Sequence, residues 1–137
     1  MFSVSSFEYE GTGYVTVSKN GCWVSLPEDV SISDEVYAVF RLTDSMLLLS
    51  QAFWKGSNQS TLKSVGKARL LKSRKNTLRL DKRIREAVVW EDEWEVFVYS
   101  CLDDFILFGV PALDEMDYLE LRGVPSIISL PLHLELL

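Results

Sequence analysis

The feature that most constrains the fold of this chain is an internal repeat, because one order of strands and turns occurs twice. The first copy begins near Gly13 and the second near Gly66. Each copy has an alternating strand, a polar turn, a second short alternating strand, a helical turn, a strongly apolar strand, a turn and a last strand. Two such copies within 137 residues predict a mainly β protein with short helices and one core.

A hairpin opens each copy of the repeat. In the first copy Asn20 and Gly21 lie between alternating apolar residues, which is a strong signal for a tight hairpin turn. In the second copy Lys75 and Asn76 take this place, and there Asn76 alone tolerates the left-handed conformation. A period of two predicts that one face of each hairpin is buried, and the residues of that face are Val15, Val17, Val24, Leu26, Ala68, Leu70, Leu78 and Leu80.

The opposite faces of the two hairpins differ in charge. The first hairpin is predicted to present Tyr14, Thr16, Trp23 and Ser25. The second is predicted to present Lys67, Arg69 and Arg79. One outer hairpin face is therefore expected to be neutral and aromatic, and the other cationic.

The charged residues are also distributed unevenly along the chain. The whole sequence has 14 Lys and Arg and 20 Asp and Glu, which gives a net charge of −6. Residues 63–85 carry +9, and the remaining residues carry −15. A basic segment of this kind attracts phosphate groups, while an acidic remainder favours solubility.

Turn-forming and apolar stretches divide the chain into four predicted parts. These are a first unit over residues 1–50, a Gly-, Ser- and Asn-rich linker over 51–66, a second unit over 67–109, and an acidic helix with an apolar tail over 110–137. The helix is expected over residues 112–121, because Pro111 can start it and Gly123 can end it.

The apolar tail at residues 126–137 is expected to lie extended along a sheet edge or groove. Pro125 and Pro131 argue against one continuous helix there, and polar and apolar residues alternate. The surface that holds the tail belongs either to its own barrel or to a neighbouring chain. The candidate partner-binding residues are Trp23, Ile127, Ile128, Leu130 and Leu132.

The order of the elements resembles the swapped-hairpin domain of the SpoVT/AbrB family of DNA-binding proteins. The similar stretches are residues 15–21 and 26–30 in the first copy and residues 68–70, 78–80 and 82–88 in the second. Together with the strands that follow them, they cover residues 13–109. The resemblance implies a small barrel in which two units of one chain interleave as a pseudo-dimer, as in MraZ-like tandem regulators. MazE-type antitoxins are related to the same family, and the implied partner is double-stranded DNA.

The turn residues of this chain differ from the family pattern, which runs Asp-x-Lys-Gly-Arg. Ser18 and Ser73 stand at the Asp position, Cys22 and Thr77 stand at the Arg position, and Asp81 replaces an expected proline. Because the family's DNA-reading arginine is missing from both copies, we expect the basic stretch around the second hairpin to supply the DNA contacts. The candidate DNA-binding residues are Lys67, Arg69, Lys72, Arg74, Lys75, Arg79, Lys82 and Arg83.

Two classes of function remain. The first is a DNA-binding transcriptional regulator or antitoxin-like protein, which forms a homo-oligomer or binds a protein partner through its C-terminal tail. The second is a non-enzymatic protein-interaction or assembly module on the same fold that has lost DNA reading. The +9 segment favours the first class, and the net charge of −6 favours the second.

The sequence does not predict an enzyme. His133 is the single histidine, and Cys22 and Cys101 do not have the spacing of metal ligands. A phosphate-cradling glycine loop and a nucleophile elbow are both missing. We therefore expect no cofactor and no metal. Because the chain lacks a signal peptide and any apolar run of about 20 residues, we expect a cytoplasmic protein without a membrane partner.

Overall fold

The computed structural model describes residues 4–19, 21–30, 32, 35–50, 64–71, 73–102, 104–111 and 126–131. Over these residues the fold is mainly antiparallel β-structure, as the alternating sequence pattern predicts. It also contains one short helix. The elements are β1 (Val4–Ser18), β2 (Gly21–Ser25), β3 (Val36–Arg41), β4 (Met46–Ser50), β5 (Ser64–Leu70), β6 (Thr77–Leu80), α1 (Lys82–Ala87), β7 (Glu95–Cys101), β8 (Asp104–Val110) and β9 (Ile127–Pro131).

Eight of these strands close into an antiparallel barrel. Their order is β1-β2-β6-β5-β3-β4-β8-β7, and β7 pairs with β1 to complete the ring. The hairpin β1–β2 therefore joins β7, and the hairpin β5–β6 joins β3. Because the ring is closed, each of these eight strands pairs with a neighbouring strand on both sides.

β1 is long enough to pair with two strands, β2 and β9, along its edge opposite β7. Its C-terminal residues pair with β2, from Tyr14 to Ser18, and its N-terminal residues pair with β9, from Val4 to Glu8. Residues 127–131 thus lie extended along a strand of their own barrel, which is one of the two positions expected for the tail. The predicted helix at 112–121 and the residues after 131 lie outside the described part of the chain.

The barrel interior holds the side chains that the period of two assigns to the core. Val15, Val24, Leu78 and Leu80 are almost completely buried in one cluster. Leu70 is half-buried and packs against the same cluster. The prediction that the two hairpins share a single core is therefore confirmed.

A second apolar cluster lies on the outer side of β3, β4, β7 and β8. It contains alternate residues of these strands, such as Phe40, Leu48 and Phe97, together with Phe7 from the start of β1. Ile128 of β9 packs against it. Because these four strands are buried on both faces, their sequences are nearly continuous apolar runs.

A glycine interrupts the pairing of the first strand of each hairpin. In β1 an extra residue, Glu10, precedes Gly11 opposite β7. In β5 an extra residue, Val65, precedes Gly66 opposite β3. Gly11 and Gly66 have φ angles of 142° and 152°, which other residues rarely adopt. Bulges of this kind bend a strand and increase its twist, which helps a sheet to close.

Two turns and one boundary refine the sequence-based predictions. Asn76 has a φ of 51°, so the left-handed residue predicted for the second hairpin is confirmed. In the first hairpin Ser18 pairs with Gly21, so Gly21 is the first residue of β2, and the prediction that it is a turn residue is wrong. β5 begins at Ser64, within the stretch predicted as linker, because the bulge at Val65 hides the alternation that would have marked its start.

Candidate nucleic-acid interface

The two hairpins lie side by side and form one outer face, which we call the hairpin surface. Its strand order is β1-β2-β6-β5, since β2 pairs with β6. On the β1–β2 half, Tyr14 is 59% exposed and Trp23 is half-buried. On the β5–β6 half, Arg69 and Arg79 are exposed. The predicted division into a neutral half and a cationic half is confirmed.

One row of side chains crosses the hairpin surface and brings two arginines together. Trp23 lies opposite Arg79 in the β2–β6 pair, and Arg79 lies opposite Arg69 in the β5–β6 pair. Like charges directly opposite each other on neighbouring strands destabilise a sheet. Two neighbouring arginines can bind the oxygens of one phosphate group, so the pair is suited to binding a phosphate.

A groove of about 480 Å³ adjoins this arginine pair. Side chains from the first hairpin, the second hairpin and α1 line it together. Its cationic residues are Lys19, Arg69, Arg79, Lys82 and Arg85. Its acidic residues are Asp81 and Glu86, which leaves an excess of three positive charges. Half-buried Val17 supplies apolar surface, and the almost completely buried Cys22 and Leu80 adjoin the groove.

Asp81 connects α1 to β5 and thereby positions one wall of the groove. Its Oδ2 accepts a hydrogen bond of 2.9 Å from the backbone N–H of Lys67, and its own N–H donates to the Lys67 carbonyl at 3.2 Å. The Asp81 carbonyl accepts hydrogen bonds from the N–H groups of Ile84 and Arg85. Ile84 is fully buried, so α1 is anchored by its apolar side while Lys82 and Arg85 face the groove.

Gly66 permits this close contact between β5 and α1. A Cβ atom at Gly66 would lie 2.9 Å from Cγ1 of Ile84 and 3.2 Å from Cβ of Asp81. Any larger residue would push α1 away from the strand. The bulge glycine of β5 is therefore part of the structure that holds the groove together.

Contacts from the segment before β7 fix the end of β1. The N–H of Val17 donates to Oδ1 of Asp92 at 2.8 Å, and the N–H of Val15 donates to the Trp94 carbonyl at 2.9 Å. The strand that leads to Lys19 is held at the groove by these bonds.

Cys22 contributes a neutral thiol to the groove. Burial raises the pKa of the Cys22 thiol to about 11, while the positive charge of Arg85 opposes this rise and the negative charge of Asp92 adds to it. The thiol therefore stays protonated at neutral pH and packs as a small apolar group.

The structure separates the predicted DNA-binding residues into two sets. Arg69, Arg79 and Lys82 line the groove, and Lys67 is exposed beside them on β5. Three others are exposed but lie outside the groove: Arg74 and Lys75 in the β5–β6 turn, and Arg83 on α1. Lys72 lies outside the described residues.

Sequence reasoning missed two groove cations, Lys19 and Arg85. Lys19 is isolated in the sequence, and only the closure of the barrel brings it to the second hairpin. Arg85 could have been found from its spacing, because residues three apart on a helix share a face and Lys82 was already a candidate.

Among the predicted partner-binding residues that the structure describes, Trp23 lies apart from those of the tail. Trp23 lies on the hairpin surface, where a Cβ at Gly21 would be 3.4 Å from its indole carbons and 3.6 Å from Nε of Arg79. Ile127, which is 51% exposed, and Ile128 belong to β9 at the other end of β1. Leu130 also lies in β9, and Leu132 lies outside the described residues.

In the described part of the chain, no three His, Cys, Asp or Glu side chains are grouped closely enough to hold a metal ion. Among the same residues, no helix has the length and apolar character needed to cross a membrane. Comparison of the chain with family models, curated proteins and solved structures found no match.

Proposed function

We propose that this protein is a DNA-binding regulator that contacts double-stranded DNA through the basic half of its hairpin surface. The observation that carries this proposal is the opposed pair Arg69 and Arg79, which stands beside Lys19, Lys82 and Arg85. Arginine and lysine side chains concentrated on one face bind backbone phosphates, and arginine also reads guanine edges in the major groove.

We further infer that the barrel consists of two tandem swapped-hairpin units, β1–β4 and β5–β8. The strand pairing supports this. Exchanging the two units converts the β1–β7 pair into β5–β3, β3–β4 into β7–β8, and β1–β2 into β5–β6. The same exchange leaves β2–β6 and β4–β8 unchanged. All eight barrel pairings are thus compatible with a twofold relation in which each hairpin packs on the other unit.

The bulge glycines give independent support for the tandem arrangement. Gly11 and Gly66 each follow one extra residue opposite the third strand of the other unit. Each also lies against the segment that follows its own hairpin, at Pro27 in the first unit and at Asp81 in the second. The family pattern expects proline at both of these positions, so Asp81 occupies the place of Pro27.

The charge distribution favours one orientation of the protein on DNA. Residues 63–85 carry +9, and the rest of the chain carries −15. An acidic body is repelled by the phosphate backbone, so we expect the basic half of the hairpin surface to face it. The neutral half, with Tyr14 and Trp23, would then lie beside the contacted phosphates and contribute no charge.

DNA binding by charge-removing variants tests the proposal. In an anisotropy titration with a labelled random-sequence duplex, we expect Arg69→Gln combined with Arg79→Gln to weaken binding at least about tenfold. The control is Arg41→Gln, which replaces an exposed arginine on β3 outside the hairpin surface. The Nε of Arg41 donates to the Ala87 carbonyl at the end of α1, so a thermal melt first checks that this variant folds. Equal loss of DNA affinity in the double variant and in Arg41→Gln would show that overall charge, and not the arginine pair, determines binding. Failure of the wild-type protein to bind the duplex would exclude the proposed function.

The alternative is a protein-interaction module on the same barrel. It is favoured by Tyr14, which is 59% exposed, and by Trp23, because aromatic side chains on a neutral surface are typical of protein interfaces. This alternative hypothesis predicts that Tyr14→Ser changes the mass of the protein in solution or its binding to a protein partner. It also predicts that the double arginine variant behaves like the wild type towards DNA.

A further inference from the structure

We propose that the groove beside Arg69 and Arg79 binds a small organic phosphate, and that this ligand competes with DNA. The competition rests on the proposed function, whereas binding of the small phosphate does not. The ligand class is a phosphate monoester carried on a compact apolar or flat body.

The cations converge on the groove from three separate elements. Lys19 comes from the β1–β2 turn, Arg69 and Arg79 come from the second hairpin, and Lys82 and Arg85 come from α1. Cations that converge from different elements can surround one phosphate group, whereas a row along one strand would follow an extended backbone. Arginine forks suit the tetrahedral oxygens of a phosphate in particular.

The shape of the groove favours a small molecule. Its volume of about 480 Å³ falls within the range of ligand sites, which is roughly 300–1,000 Å³. Val17, which is half-buried, forms an apolar part of its lining next to the cationic side chains, and the almost completely buried Cys22 and Leu80 adjoin it. Charged and apolar lining together fit a phosphate ester better than inorganic phosphate, which has no apolar part to place there.

The two acidic groove residues restrict where the phosphate can lie. Oδ2 of Asp81 is hydrogen-bonded to the N–H of Lys67, so this carboxylate is committed to the β5–α1 contact. Glu86 lies at the C-terminal end of α1, beyond Arg85. The phosphate is therefore expected between the arginine pair and Arg85, with the ester group towards Val17 and Cys22.

Shared residues make the two ligands exclusive. Arg69 and Arg79 belong both to the hairpin surface and to the groove. A phosphate ester bound to them would occupy the side chains that the proposed DNA contact needs. A cellular organic phosphate would then release the protein from DNA.

The experiment compares phenyl phosphate with inorganic phosphate by calorimetry on the full chain. We expect phenyl phosphate to bind more tightly than inorganic phosphate. We expect Arg85→Gln to weaken phenyl phosphate binding about tenfold, because a hydrogen bond to a charged group is lost. The matched variant for this measurement is Arg83→Gln, on the same helix but outside the groove, and its phenyl phosphate affinity should stay within about twofold.

Because Arg85 is half-buried, Lys82→Gln serves as a second variant at an exposed groove position. Thermal melts establish that all variants fold. Equal effects of Arg83→Gln and Arg85→Gln would overturn the proposed site. So would phenyl phosphate that binds no better than inorganic phosphate, or that does not bind.

A second arm adds phenyl phosphate to the complex with the labelled duplex. Displacement of the duplex supports the shared site. Binding of both ligands without displacement overturns the competition. If phenyl phosphate binds and the duplex does not, the groove stands and the proposed DNA function fails. If the duplex binds and phenyl phosphate does not, the proposed DNA function stands and the proposed phosphate site fails.

Discussion

Gly11 and Gly66 hold matching positions in the two halves of the barrel. Each follows an extra residue in the first strand of a hairpin, and each has a φ that other residues rarely adopt, 142° and 152°. A Cβ at Gly11 would lie 2.9 Å from Cγ of Pro27, and a Cβ at Gly66 would lie 2.9 Å from Cγ1 of Ile84. Both glycines thus allow a bent strand to pack tightly on the segment that follows its hairpin.

Replacing Gly66 is therefore expected to be costly. Gly66→Ala should lower the free energy of unfolding by about 1 to 3 kcal/mol, because it adds backbone strain and a clash with Ile84. Chemical denaturation measures this change. Gly21→Ala is the control, since a Cβ there meets nothing closer than 3.4 Å. Comparable losses in the two variants would contradict the account of Gly66.

Asp81 is expected to stabilise the fold while it opposes anion binding. Asp81→Asn keeps an oxygen that can accept the Lys67 N–H but removes the charge. We expect a loss of stability of about 0.5 to 1.5 kcal/mol, because a charge-assisted hydrogen bond becomes a neutral one. DNA affinity should instead rise by about two- to fivefold, since a negative charge leaves the groove.

Denaturation and the anisotropy titration measure these two changes for Asp81→Asn. Glu8→Gln removes an equal charge from an exposed position on β1, beside β9, and should leave both quantities nearly unchanged. A DNA affinity that falls in the Asp81 variant would contradict the proposed location of the contact.

Stability is expected to fall at alkaline pH. Burial raises the pKa of the Cys22 thiol from 9.0 to about 11, and burial together with the neighbouring Tyr9 raises the pKa of Tyr99 from 10.0 to about 12. Above pH 9 the unfolded chain loses protons that the folded chain keeps, so unfolding becomes easier as pH rises. The stabilisation is complete below pH 9 and is lost as pH rises through 11 and 12.

Cys22→Ala isolates the contribution of the thiol to this alkaline loss. Between pH 9 and 11 the free energy of unfolding should fall less in the variant than in the wild type. The difference between the two falls should be on the order of 2 kcal/mol. Urea denaturation at a series of pH values gives the slopes. Parallel slopes in the two proteins would show that Cys22 does not titrate differently on folding.

Local patterns in the sequence predict the hairpin strands and most of their buried residues, but they do not predict residues 4–12 of β1 or the start of β5 at Ser64. Alternation at Val15, Val24, Leu78 and Leu80 identified the core of both hairpins, and Asn76 identified a left-handed turn residue. These features depend on neighbours within a few positions, so the sequence contains them directly.

Features that depend on closure of the barrel could not be predicted in the same way. The sequence predicts that the first copy begins near Gly13, whereas the glycine that follows the extra residue of β1, as Gly66 does in β5, is Gly11. A shift of two residues keeps the alternation of buried and exposed positions, so the pattern does not distinguish Gly11 from Gly13. Lys19 meets the arginine pair only after β2 has paired with β6. Lys19 lies 50 positions before Arg69 and 60 before Arg79, and contacts over such separations leave no local pattern.

The salt dependence of DNA binding tests the central claim most directly. The association constant for the labelled duplex is measured over about 50 to 200 mM salt for the wild type and for the variant with Arg69→Gln and Arg79→Gln. Each phosphate neutralised contributes about 0.9 to the slope of log K against log salt, so the variant should have a slope shallower by about 1.8. Arg41→Gln should keep the wild-type slope. A double variant with the wild-type slope would show that Arg69 and Arg79 do not contact DNA.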